Sequence, residues 1–261
     1  DGTKILKYVA VKEYFYTRFY DPSTQKNNCE EYFAREVKCT DLQSQYPGSQ
    51  LKLVDSGKIT SKSQKEYYIV LNFVEGKPLS EWFVDNYGKR AHLDEEEINQ
   101  LTNDIVIPMA RHLNFCHKHG LTHRDLSIDN VMIKEPKKGV AVPVIIDWGA
   151  AKIRPVDKLM HPPKNYLDNQ RSTSTAFINK GTPPEIISGL PPLAASDIYM
   201  LGHVMYYLYS GGLSCKTPMV KDDYVLHPKD ENPAVDSTYN KLVAKCTQYE
   251  PADRIETMER V

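Results

Sequence analysis

The sequence predicts an α+β fold in two unequal parts, a small β-rich part carrying one helix and a larger, mainly helical part. Three observations carry this expectation. In the first third, short runs alternate with the period of two expected of half-buried strands. From residue 93 the apolar residues recur instead at three and four, the spacing of one helix face. At 261 residues and 41% hydrophobic composition, the chain can bury a sizeable core in one large domain or two lobes.

Taken in order, Tyr8-Val9-Ala10-Val11-Lys12 places Tyr8, Ala10 and Lys12 on one strand face and Val9 and Val11 on the other. Residues 29 to 43 (CEEYFAREVKCTDLQ) carry Phe33 and Val37 four apart, so Glu36 belongs to an amphipathic helix. "QLKLVDSGKI" and "EYYIVLNFV" read as two strands joined by the polar stretch Thr60 to Lys65, and the pattern changes near Gly76. Asp94 and Glu97 form a capping box that opens a long helix. Its apolar stripe, Ile98, Leu101, Ile105, Met109, Leu113 and Cys116, ends at Gly120, and Pro108 should kink it. Val131 to Ile133 and Val142 to Ile146 make a second hairpin around the turn Glu135 to Gly139. Residues 154 to 193, rich in Pro, Ser, Thr and Asn, are too long for an ordinary connection and read as functional or mobile. Ser196-Asp197 opens an apolar helix aligned on Ile198, Leu201, Val204, Met205 and Leu208. Residues 213 to 235 read as irregular, and 237 to 261 as a helical pair broken at Pro251.

Charge and cysteine usage narrow the function. Thirty-three Lys and Arg against 34 Asp and Glu leave no global field to draw the chain onto nucleic acid or a membrane surface. No run approaches 18 apolar residues, and the N-terminus lacks a signal-peptide pattern. Five scattered cysteines without a C-x-x-C pair point to a reducing compartment. The expected location is cytoplasmic, or a host cytoplasm if the protein is a delivered effector. Cys116-His117-Lys118-His119 is not a metal site, because adjacent helical residues point in divergent directions.

The chemistry lies in LTHRDLSIDNV, residues 121 to 131. Phosphoryl transfer requires a cation on the phosphates, oxygen ligands for magnesium, a carboxylate for the attacking hydroxyl and exclusion of water. Asp125 is a candidate for that carboxylate, and Asn130, five residues on, offers an amide oxygen to a hard cation. Asp147, at the end of the apolar run Val144-Ile145-Ile146, is a candidate metal carboxylate. Lys12 can hold phosphate oxygens if another charge fixes it, and Glu36 is a plausible partner.

With these pieces in this order, the chain resembles the protein kinase family. "VAVK" at 9 to 12 looks like the lysine strand, Glu36 like its helix partner, "HRDLSIDN" at 123 to 130 like the catalytic loop and "DWG" at 147 to 149 like a variant of the metal-binding DFG. "GTPPE" ending at Glu185 resembles the end of an activation segment, Asp197 the acid opening the central helix of the large lobe, and Arg254 the partner of Glu185. The wording "VAVKEYF", "HRDLSIDNVMI" and "IDWGAAK" is most similar to bacterial-type serine/threonine kinases. The resemblance implies a protein-kinase-like fold, with an N-lobe over 1–74 and a C-lobe over 75–261 that holds an activation segment at 147–185. It also implies use of ATP and Mg2+ and transfer to Ser or Thr of a protein substrate. Leu71 would be the gatekeeper, Asn72, Phe73 and Val74 the hinge facing adenine, and Ala10 and Met132 the lids of the adenine pocket. His123 and Gly149 would be structural. Two alternatives remain, a pseudokinase scaffold that keeps the fold and a small-molecule kinase of the choline or aminoglycoside type.

Three departures qualify the resemblance. Only eleven residues precede Lys12 and they hold no glycine-rich loop, so the N-lobe reads as partial; the C-terminus likewise reads as cut soon after Arg254. Ser127 stands where many serine/threonine kinases have a lysine, removing one positive charge from the site. Thr182 lies too close to Glu185 to be equated with the threonine found near the catalytic aspartate in serine/threonine kinases. Arg124, before Asp125, can pair with a phosphate on the activation segment, where Ser172, Thr173, Ser174 and Thr175 follow Arg171.

Overall fold

The computed structural model describes residues 8–15, 20–21, 26–60, 65–89, 92–137, 139–160, 181–215 and 225–261. The amino-terminal elements are β1 (Val9–Tyr14), the short pair β2 (Tyr20–Asp21) and β3 (Lys26–Asn27), helix α1 (Cys29–Ser44), and the antiparallel strands β4 (Leu53–Thr60) and β5 (Lys65–Asn72). β5 is central in the sheet β1-β5-β4. Lys12 lies opposite Ile69 and Tyr14 opposite Tyr67. Strand alternation therefore puts Ala10, Lys12 and Tyr14 on the face that packs against α1. There Phe33 and Val37 close over Tyr14, Cys29, Tyr67 and Ile69. Val9 and Val11 turn outward and are exposed.

Beyond β6 (Lys77–Pro78) the chain is mainly helical, beginning with α2 (Leu79–Tyr87). Helix α3 (Glu95–Leu101) starts at the expected capping box: Glu97 N–H donates to Asp94 at 2.9 Å, and Asp94 N–H to Glu97 at 3.0 Å. Just before Pro108 the run passes through a π turn, Thr102–Val106, in which Ile107 N–H reaches back to the Thr102 carbonyl. An unbroken α-helix would press the Pro108 ring on the carbonyl four residues earlier; the wider turn accommodates it within the first turn of α4 (Ile107–Lys118). The predicted stripe from Ile98 to Cys116 is buried throughout. Gly120, at φ +78°, ends this run, and a Cβ there would collide with the Arg154 carbonyl.

Then follow β7 (Leu121–Thr122), β8 (Val131–Lys137), β9 (Val140–Ile145) and β10 (Lys152–Ile153). They form the sheet β6-β8-β9 and the pair β7 with β10. The β8–β9 hairpin is longer than expected because a register shift between Lys134 and Lys137 lets the strand run through Pro136, which has no N–H for the ladder. Two short helices, α5 (Val156–Met160) and α6 (Pro184–Ile187), fall in the stretch expected to be irregular.

Helix α7 (Ala194–Tyr209) begins two residues before the expected Ser196. Ser196 Oγ instead accepts the Leu193 N–H at 3.0 Å from inside the first turn. Helix α8 (Ser237–Cys246) is capped by Asp236, whose side chain accepts the Thr238 N–H. The second helix expected after Pro251 is two 3-10 turns, Pro251–Asp253 and Met258–Arg260. One large core runs through α2, α3, α4 and α7 and under the β6-β8-β9 sheet, while the smaller β1–α1 cluster stands apart from it. No helix among the described residues is long and apolar enough to cross a membrane.

Candidate active site

The site is built where β1, α1 and the end of β9 converge. The Lys12 ammonium donates to both Glu36 oxygens at 3.0 Å and to Asp147 Oδ1 at 2.9 Å. Glu36 is buried on the inner face of α1, and Asp147 is half open to solvent. Burial alone would lower the Lys12 ammonium, but the charges of Glu36 and Asp147 outweigh it and hold the group above the ordinary lysine value. Burial would raise the Asp147 carboxyl, and Lys12 overcomes that to hold it low. Asp147 has a left-handed backbone, φ +58°, and accepts the Gly149 N–H. A Cβ on Gly149 would lie 2.9 Å from both Glu36 Oε2 and Lys12 Nζ, so a side chain there would displace these charged ends.

The neighbouring loop hangs from one buried carboxylate. Asp197, on α7, accepts the backbone N–H groups of His123 and Arg124, each at 2.9 Å, and contacts His117 Nε2 at 2.8 Å. Arg124 takes φ +74°, a strained conformation for a side-chain-bearing residue that these bonds hold in place. His123 Nε2 meets the Ile146 carbonyl at 3.0 Å and Nδ1 the Asp125 N–H at 3.3 Å, while its ring stands edge-on to Trp148 at 4.6 Å. The imidazole thus joins the loop to the Asp147 turn. Asn130 Nδ2 donates to the Asp125 carbonyl at 2.7 Å and to its Oδ2 at 3.1 Å. Burial raises the Asp125 carboxyl; His123 works against this and the charge of Asp147 adds to it. Ser127 accepts the Asn130 N–H through its carbonyl at 3.1 Å and, more loosely, through Oγ, closing the loop locally.

A family model described as a protein kinase domain matches residues 7–261. The chain belongs to the protein kinase family. Its relatives include a probable serine/threonine-protein kinase of Clostridium acetobutylicum, 26% identical over 74% of this chain and 27% of that protein. A probable serine/threonine-protein kinase of Clostridium perfringens is 28% identical over 74% of the chain and 26% of its own length. Serine/threonine-protein kinase Pkn1 of Myxococcus xanthus is 24% identical over 72% and 25%. The kinase domain thus spans about a quarter of the length of these relatives.

Other predicted residues of the kinase domain are distributed around this centre. Ala10 stands opposite Leu71 in the β1–β5 pairing, and Met132 opposite Val144 in β8–β9, so the two belong to different sheets. Asn72, at the end of β5, exchanges hydrogen bonds with the backbone of Gln50 and Lys52, fixing the chain as it leaves the sheet. Phe73 is exposed beside Tyr8, and Val74 is buried. Glu185 and Arg254 form a buried bidentate pair at 2.7 and 2.8 Å, with Ser196 Oγ also on Glu185. They brace α6 against the end of the chain, away from Lys12. Ser172, Thr173, Ser174 and Thr175 lie outside the described residues.

Three contributors were missed from the sequence. The Tyr14 hydroxyl donates to Glu36 Oε2, Arg35 Nη2 donates to the Gly149 carbonyl at 2.8 Å, and His117 supports Asp197. Tyr14 lies beyond the Tyr8 to Lys12 run read from the sequence, on the same strand face as Lys12, and nothing in the spacing shows that its hydroxyl reaches the helix. The donor set suits a hard divalent cation. Asp147 offers an accessible carboxylate, and Asn130, whose NH2 is spent on Asp125, keeps its amide oxygen.

Proposed function

We propose that this kinase domain is catalytically active, using ATP and Mg2+ to transfer the γ-phosphoryl group to serine or threonine hydroxyls of protein substrates. The observation that carries the reading is Lys12 shared between Glu36 and Asp147, with Asp125 and Asn130 bonded to one another close by. Lys12, oriented by Glu36, binds phosphate oxygens. Asp147 and Asn130 hold Mg2+, which when bound supplies positive charge against the phosphates. Asp125 Oδ2 is taken up by Asn130, so Oδ1 is the atom that orients the attacking hydroxyl and receives its proton. Ala10, Leu71, Met132 and the segment Asn72 to Val74 receive the adenine. On this reading residues 1–74 act as the N-lobe and 75–261 as the C-lobe, with the activation segment at 147–185. The names of the bacterial relatives support serine or threonine as acceptor. The five free cysteines support a reducing, cytoplasmic setting.

The test is transfer of label from γ-labelled ATP with Mg2+ to a generic protein substrate, beside Asp125→Asn and Asp147→Asn. The expected outcome is transfer by the parent and a loss of about a hundredfold or more in each variant. Transfer that survives both substitutions overturns the assignment. No transfer by the parent, with ATP still bound, supports the scaffold reading instead.

A further inference from the structure

Lys12 has no donor to spare for a phosphate. An ammonium carries three N–H groups, and all are committed, two to the Glu36 oxygens at 3.0 Å and one to Asp147 Oδ1 at 2.9 Å. Taking up a phosphate oxygen therefore costs one of these bonds. The Glu36 side chain is 4% exposed and that of Asp147 49%, so the bond that exchanges is the one to Asp147, where water or a cation can replace the ammonium. The Asp147 turn then loses its attachment to α1 through Lys12.

Arg35 supplies a second attachment. It precedes Glu36 on α1, and its Nη2 donates to the Gly149 carbonyl at 2.8 Å. The Gly149 N–H donates in turn to Asp147 Oδ1 at 3.3 Å, so Gly149 is held at its carbonyl by the helix and at its N–H by the carboxylate. The guanidinium also lies over the Tyr32 ring, three residues earlier on α1, 4.4 Å from the centroid, which restricts where its fork can point. The turn needs such an anchor, because Asp147 at φ +58° keeps a left-handed backbone that a side-chain-bearing residue adopts only where its surroundings impose it. His123, through the Ile146 carbonyl, ties the turn to the Asp125 loop; Arg35 ties it to the helix that carries Glu36.

We propose that Arg35 is a positioning residue for the divalent cation: once Lys12 turns to the phosphates, the bond from Arg35 to Gly149 keeps the Asp147 carboxylate where the cation is held. The inference rests on the reading of Asp147 as a Mg2+ ligand. Groups that orient a metal ligand without touching the metal are worth about 10- to 100-fold in metal affinity. The charge of Arg35 acts in the opposite direction, since a guanidinium beside the turn repels a second cation. Removing Arg35 therefore separates two roles by sign. Lost positioning weakens Mg2+ binding, and lost repulsion strengthens it.

The test reads ATP binding rather than transfer, with no protein substrate present. ATP affinity of the parent, Arg35→Met and Arg35→Lys is measured by calorimetry across a Mg2+ titration and in EDTA. In the parent, affinity is expected to rise with Mg2+. Arg35→Met keeps an apolar stem and loses the donor; its Mg2+ midpoint is expected to rise about tenfold or more, while its ATP affinity in EDTA stays within about twofold of the parent's. Arg35→Lys keeps the charge and a donor and is expected to lie between the two. A midpoint for Arg35→Met equal to or below the parent's, or an equal loss of ATP affinity with and without Mg2+, overturns the proposal. If Arg35→Met does not melt cooperatively, Arg35→Lys carries the test: a rise of about twofold or more is expected, and no rise overturns it. ATP binding by the parent that ignores Mg2+ would instead remove Asp147 as a metal ligand, and the role of Arg35 with it.

Discussion

Tyr14 and Glu36 are joined by a buried hydrogen bond in which the tyrosine hydroxyl donates to the carboxylate that also holds the Lys12 ammonium. Tyr14 stands two positions along the strand from Lys12, with Glu13 between them, so both reach α1 from the same face of β1. Tyr14→Phe removes the donor and almost no volume. A hydrogen bond to a charged group is worth about 1.5–3 kcal/mol, and Lys12 remains to compensate Glu36, so a loss near the lower bound is expected in urea unfolding. The same variant should bind ATP several-fold more weakly, because Glu36 then has one anchor fewer. Unchanged stability together with unchanged ATP affinity would show that the hydroxyl does not hold Glu36.

Gly149→Ala tests the convergence at its tightest point. The added methyl would stand 2.9 Å from Glu36 Oε2 and Lys12 Nζ and 3.1 Å from Asp147 Oδ1, closer than side chains tolerate. These neighbours are ends of flexible side chains, so the fold can relax at a cost of about 1 kcal/mol or less, but the three charged groups cannot all keep their positions. Thermal melting should move little while phosphoryl transfer falls about tenfold or more. Equal loss in both would place the damage in folding rather than in the site.

The Glu185–Arg254 pair makes the opposite prediction. Both side chains are fully buried, and Arg254 also donates to the carbonyls of Ala195, Gln248 and Tyr249. Arg254→Ala leaves a buried carboxylate without its cation, a change that costs about 3–5 kcal/mol. Urea unfolding should show that loss, and Glu185→Gln with Arg254→Met together should lose less than Arg254→Ala alone. A loss below about 1 kcal/mol for Arg254→Ala would mean that water replaces the guanidinium.

These residues also show how far the sequence could be read. Lys12, Glu36, Asp125, Asn130 and Asp147 were nameable because strand parity, helix spacing and chain order each restrict where a side chain can point. Their mutual distances were not, since Lys12 and Asp147 are 135 positions apart and meet only through packing. Pro108 illustrates a second limit: the steric conflict is local and visible, whereas its relief by a π turn is set by the packing of the apolar stripe, which stays buried on both sides of the turn. Ser196 was read as the start of α7 because its residue type favours caps, yet it works from the third position, with Leu193 as the cap. After Pro251 too little apolar surface follows to drive a helix, and only 3-10 turns form.

His112 sets a pH dependence of stability. Burial lowers its pKa from 6.5 to about 4, with the positive charges of His123 and Lys52 acting in the same direction and the Gln43 carbonyl against it. The folded chain keeps the ring neutral while the unfolded chain protonates near 6.5. Its contribution is therefore complete above pH 6.5 and is lost as pH falls toward 4. The difference amounts to about 3 kcal/mol at the lower limit. Urea unfolding of the parent and of His112→Gln at about pH 7.5, above the window, and at about pH 4.5, near its lower end, should show a smaller decline in the variant. Parallel declines would assign the acid sensitivity elsewhere.

Arg124 carries the regulatory prediction. Its guanidinium is pushed below the ordinary arginine value by burial and then by the positive charges of Arg35 and Arg154, and its Nε has no partner among the described residues. Lys152 is lowered by burial and by the neighbouring arginines, so four basic groups, on α1, on the loop of Arg124 and at β10 and its end, repel one another. A dianion between them would relieve that repulsion and add charge-assisted bonds of about twice the strength of neutral ones. A phosphate on Ser172, Thr173, Ser174 or Thr175 is the expected dianion. Sulfate at millimolar concentration should raise the melting temperature above that in sodium chloride of equal ionic strength, and Arg124→Gln should remove the increment. Mass spectrometry of an active preparation should find phosphate between residues 160 and 185. An active preparation without phosphate there would detach the arginine cluster from activation.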